Sequence, residues 1–216
     1  MMHLFRRGAG SKDSHLQERM RPSRGWAEVL KYMRSDPSRS LRVLDFGVTS
    51  PTNINLLTSL GHSVYMANIV GEAAKPEWLK VAAPGTRAGA TPECETERFT
   101  AANLDFSGRD FDVILLWDTA DYLPPPLVPT LFERLRAVTR PEGRLLAFFH
   151  SKAEGPDTGY ARYQLTDADQ VKVLGNEPLP IRQIVQNRQV ERYLEGFSTI
   201  RFFQGSDNIR ECIAIH

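Results

Sequence analysis

The chain has 216 residues, with 27 Lys+Arg against 26 Asp+Glu, 41% apolar and 9% aromatic side chains, and 2 cysteines. Near-average charged and apolar fractions exclude wholesale disorder, and Cys94 and Cys212 are too few and too far apart for a disulfide framework or a zinc cluster. The longest apolar runs, Val113–Trp117 and Leu145–Phe149, fall short of the roughly 20 residues of a membrane helix, so a cytoplasmic domain with no membrane partner is expected.

Charge is uneven along the chain. Residues 1–42 hold ten basic and four acidic groups, which leaves the remainder net acidic. Met1–Ser11 is basic without an apolar core, so no secretory leader is expected. Residues 1–24 are Gly/Ser/Arg-rich and lack apolar period, which predicts a flexible basic arm. Such an arm suits a nucleic acid or acidic partner, but it has no aromatic-basic alternation, and a solvated lead-in is the favoured reading.

The domain is expected over 25–216. Trp26, Val29, Leu30 and Met33 form a helical stripe that stops at Ser35-Asp36-Pro37. Leu41–Phe46 predicts a strand, Ile54, Leu56, Leu57 and Leu60 a helix closed by Gly61, and His62–Ala67 a second strand. Residues 71–97 give only a helix near Pro76–Val81 and a loop, and Phe99–Phe106 is expected to be a third strand. Phe111–Trp117 is an unbroken apolar run, as in a parallel strand covered on both faces. Val128, Leu131, Phe132, Leu135 and Val138 then mark a helix, and Pro141-Glu142-Gly143 turns into the strand Arg144–Phe149. Residues 151–185 read as an insertion on the substrate side, with Tyr160–Leu165 a candidate strand. A helix begins near Asn187, and Thr199–Gln204 and Ile209–Ile215 form a closing hairpin. The order predicts an α/β, Rossmann-like three-layer sandwich with a mostly parallel seven-stranded sheet whose last strand is antiparallel. Ligands of such sheets sit beyond the strand C-termini.

The run Phe111-Asp112-Val113-Ile114-Leu115-Leu116-Trp117-Asp118, then Tyr122-Leu123-Pro124, a helix, and Arg140-Pro141-Glu142-Gly143-Arg144 resembles the class I S-adenosylmethionine-dependent methyltransferases over residues 41–216. The closing Glu195-Gly196-Phe197 and hairpin resemble the same family. The resemblance implies S-adenosylmethionine as cofactor and an unidentified methyl acceptor. It places Asp45, Gly47 and Thr49 at the cofactor loop, Asn68 and Ile69 at the ribose, Asn103 and Leu104 at the adenine, and Trp117 and Asp118 at the methionine end. Asp118, Asp121 and Tyr122 would be the catalytic group, and no metal is implied.

Two departures qualify this. Thr49 and Pro51 replace later glycines of the D-x-G-x-G-x-G loop, where Ser50 as N-cap and Pro51 at N1 also explain themselves as a helix start. Asn68 stands where an acid normally takes both ribose hydroxyls, and an amide offers one acceptor and a donor instead. S-adenosylmethionine binding and methyl transfer are expected, with affinity reduced by these departures. The alternative function is a non-catalytic scaffold or interaction protein of the same fold.

Overall fold

The computed structural model describes residues 18–79, 94–155, 158–177 and 179–216. Nine strands and seven α-helices are found among them: β1 (Arg19–Pro22), α1 (Arg24–Met33), β2 (Arg42–Asp45), α2 (Pro51–Ser59), β3 (Ser63–Met66), α3 (Ile69–Ala73), α4 (Thr96–Asn103), β4 (Phe111–Trp117), α5 (Thr119–Tyr122), α6 (Leu127–Val138), β5 (Thr139–His150), β6 (Tyr160–Leu165), β7 (Gln170–Glu177), α7 (Asn187–Tyr193), β8 (Thr199–Gln204) and β9 (Ile209–Ile215).

Six strands make the central sheet in the order β3-β2-β4-β5-β9-β8. β2, β3, β4 and β5 run parallel, and β9 is antiparallel to both β5 and β8. All seven residues of β4 are buried. Ile114 and Leu116 face one core, with α3, α4, α6 and α7. Val113, Leu115 and Trp117 face the other, with α1, α2 and a separate antiparallel sheet ordered β1-β7-β6. Three layers result, with each apolar face of the sheet covered.

The sequence reading departs from this architecture in two places. Phe99–Phe106, expected to be a strand, is mostly α4, so the central sheet has six strands among the described residues rather than seven. Ala101 and Ala102 favour helix, and Phe99 is the one large apolar side chain α4 presents to the core, packing edge-on against Trp78 at 5.3 Å. Among the described residues β3 is left as an edge only four residues long, a length that limits unwanted pairing.

The second departure is at the expected arm, of which residues 1–17 lie outside the described residues. Arg19–Pro22 is β1, paired with β7, so this part of the expected arm is a strand. Arg21 is only 3% exposed and is bonded to Glu211 and Asp207. An arginine reads as solvent-facing in a sequence, which is why this strand was hidden. The stretch 151–185 supplies β6 and β7, so the second sheet joins the chain's start to the expected insertion. No helix among the described residues is long and apolar enough to cross a membrane.

Candidate functional site

Parallel pairing brings the C-terminal ends of β2, β3 and β4 to one edge of the sheet. Gly47, Asn68 and Asp118 follow those ends, and the Thr119 hydroxyl donates to Phe46 O at 3.2 Å, fastening the β4 end to the β2 end.

Asp45 closes β2 with no exposure. Its Oδ1 accepts from Trp117 Nε1 at 2.6 Å and its Oδ2 from Asn53 Nδ2 at 2.9 Å. Burial pushes the carboxyl up to about 6, against the pull of those two donors. Asn53 was not foreseen as part of this site. Its amide also donates to Tyr163 O at 3.1 Å and accepts from Leu165 N at 2.8 Å, tying α2 to β2 and β6. The available signal is spacing: Asn53 and Leu57, four residues apart, are the two buried positions of α2. The helix start is as read, with Ser50 capping Asn53 N and Pro51 in the first turn.

Gly47 is half-buried. A Cβ there would stand 3.4 Å from Asp45 Oδ1 and 3.6 Å from the Trp117 ring, so glycine leaves a methyl-sized space beside the indole. Thr49 is exposed. Asn68 is exposed and caps α3, its Oδ1 accepting from Gly71 N at 3.2 Å, while Ile69 is buried beneath it. Asn103 and Leu104 are not at a strand end. They close α4, which carries the chain back toward the start of β4; Asn103 Nδ2 donates to Phe99 O at 3.2 Å and Leu104 is core.

Trp117 has φ +51°, an uncommon backbone for a bulky residue, and is 2% exposed. Its ring stacks on Tyr163 at 5.0 Å and meets Phe148 edge-on at 5.3 Å. Asp118 is fully buried. Tyr163 donates to its Oδ2 at 3.0 Å, and its Oδ1 has no partner. Burial first, and then the Asp121 charge, push its carboxyl up to about 7, although His150 opposes the shift. Asp121 is also fully buried. Its Oδ2 accepts from His150 N at 2.6 Å and bonds His150 Nδ1 at 2.9 Å, while its Oδ1 is unpartnered. Burial raises it too, and the His150 bonds pull it down. The Tyr122 hydroxyl donates to Thr158 O at 3.0 Å, and burial raises its pKa.

The structure thus brings together Asp45, Gly47, Trp117, Asp118, Asp121 and Tyr122, with Thr49, Asn68 and Ile69 further along the same edge. Asn103 and Leu104 lie apart from it. Tyr163→Phe is expected to cost about 1–2 kcal/mol in urea unfolding, because it strips a charge-capable acceptor of its one donor. It is also expected to raise the Asp118 pKa further, read by carboxyl NMR titration.

No family model and no curated protein matches the sequence. Among solved structures, the chain is similar to magnesium protoporphyrin IX methyltransferase from Synechocystis PCC 6803 with bound SAH. Identity is 18%, 88% of this chain and 81% of that one are covered, and the TM-score is 0.50. It is also similar to 1,6-didemethyltoxoflavin-N1-methyltransferase from Burkholderia thailandensis, at 15% identity over 89% and 78% of the two chains with a TM-score of 0.44. The chain has the class I methyltransferase fold.

Proposed function

We propose that the β2–β3–β4 edge takes S-adenosylmethionine and serves methyl transfer to an acceptor yet to be identified. The observation that carries this reading is Asp118: a carboxyl kept fully buried, with one oxygen bonded by Tyr163 and the other left open. Burying a carboxyl with one oxygen unpartnered is costly, and fold stability alone gives no reason to keep two such groups side by side. A cationic ligand group accounts for the open oxygen.

Two features fit the cofactor. Asp118 Oδ1 is an acceptor for its ammonium group, and exposed Asn68 keeps its amide donor for a ribose hydroxyl while its oxygen caps α3. When bound, the cofactor supplies a methyl group already activated on a sulfonium. The chain's residues then have only to orient the acceptor and remove a proton. For an acceptor nucleophile that carries a proton, the Asp121–His150 pair is the base this edge offers.

Calorimetric titration with S-adenosylmethionine and S-adenosylhomocysteine tests the reading. Asn68→Asp keeps the α3 cap and adds a charged acceptor, so it should tighten binding by roughly tenfold. A cation can pair only with the ionised form of Asp118. Affinity should therefore rise up to about tenfold per pH unit toward the carboxyl's value of about 7 and level off above it.

Absence of binding in both proteins would favour the second reading, a scaffold. That reading has its own observation, the bonds by which Asn53 and Trp117 tie each oxygen of Asp45 into the fold.

A further inference from the structure

Asp118 and Asp121 are fully buried, so any ligand reaches them only after part of their cover moves. Residues 179–186 have no regular secondary structure and are bonded to the backbone of α5, which carries Asp121 and has Asp118 as its N-cap residue. Arg182 N and Gln183 N donate to Asp121 O at 2.8 and 3.3 Å, and Gln183 Nε2 donates to Ala120 O at 3.1 Å. At the far end Arg210 holds Val185 O at 2.6 Å. Leu179 and Ile181 are only partly buried against the core, whereas Val185 is 1% exposed.

The other cover is far better fixed. The β1-β7-β6 sheet has two strand ladders, the Asn53 bonds, the Trp26 Nε1 bond to Thr166 O and the stacked Trp117–Tyr163 pair. Segments without ladders and with few buried apolar groups open at lower free energy than ladder-bonded cores. Pro180 stiffens the strap by fixing its own φ, which favours movement as a unit.

We propose that 179–186 is the gate of the buried carboxyl pair. It lifts from Asp121 and Ala120 while the central sheet stays folded, and it pivots near the start of α7. The ligand arm of the test rests on the S-adenosylmethionine reading, but the gating itself does not.

Native-state hydrogen exchange on the full chain tests it. Amides of Arg182 and Gln183 should exchange at least about 100-fold faster than those of β5. Gln183→Ala should accelerate the strap by several-fold and leave β5 unchanged. Saturating S-adenosylhomocysteine should slow the strap selectively. Strap protection equal to that of β5, or strap and β5 opening together, overturns the gate. Fast, selective opening with no response to S-adenosylhomocysteine upholds the gate and removes the cofactor reading.

Discussion

Arg21→Ala is expected to destabilise the protein by about 3–5 kcal/mol, because it leaves the buried Glu211 carboxylate without its cation. At this chain length that is a fall in Tm of about 6–20 °C. Arg21 donates to both Glu211 and Asp207, and its guanidinium lies 5.0 Å from the centre of the Phe148 ring. Burial pulls its pKa down, but the bonds and charges of Asp207 and Glu211 together outweigh it and leave the pKa raised. Glu211 Oε2 in turn accepts from Gly25 N at 2.6 Å and from the Ser23 hydroxyl at 3.0 Å, placing a negative charge at the α1 N-terminus.

One ion pair therefore joins β1, α1 and β9, and with them the small sheet whose Tyr163 holds Asp118. Urea unfolding of Arg21→Ala, Glu211→Gln and the double variant checks the argument. The double variant should be markedly less destabilised than the sum of the singles, since it leaves no lone buried charge. Strict additivity would mean that the two groups do not support each other.

The sheet was legible in the sequence wherever burial is two-sided and apolar. β4 announces itself by seven buried residues in a row, and the β8–β9 hairpin follows its bounds because a Gly-Ser-Asp-Asn turn separates two apolar strands. Phe99–Phe106 misled because two aromatics at its ends suggest a strand, yet the Ala-rich interval between them is helical. β1 was hidden for the reverse reason, since its inward residue is an arginine neutralised by carboxylates nearly two hundred positions away.

Topology places Gly47, Asn68 and Asp118 after strands that parallel pairing brings to one edge, whereas it failed for Asn103 and Leu104 because the strand expected before them is α4. What local pattern could not give was who bonds whom. Asn53 reaches Asp45 only once α2 is packed, and Tyr163 reaches Asp118 only once β6 folds over the sheet. Both partners come from elements whose placement no single segment encodes.

Asp118→Asn should separate what Asp118 does for folding from what it does for binding. In the folded chain the carboxyl is pushed up to about 7, well above an unfolded aspartate near 3.9. The folded state therefore holds this proton more tightly than the unfolded one. The stabilisation it gives is present below about pH 4 and is lost as pH rises toward 7. An amide does not titrate, so the variant escapes that loss. Its stability relative to wild type should rise by about 2–3 kcal/mol between pH 5 and pH 8, read by urea unfolding at each pH. Asp45, pushed up to about 6, titrates in both proteins and largely cancels from the comparison.

Binding should move the other way. Loss of a charged acceptor is expected to weaken S-adenosylmethionine affinity by about 10- to 100-fold at pH 8 and to flatten its rise with pH. A more stable protein that binds less well is the pattern of a group retained for a ligand at the expense of the fold. A stability difference that does not change with pH would show that Asp118 is ionised and satisfied in the folded chain. Unchanged affinity in a variant with the expected stability profile would instead remove Asp118 from the ligand's contacts and shift the weight to the scaffold reading.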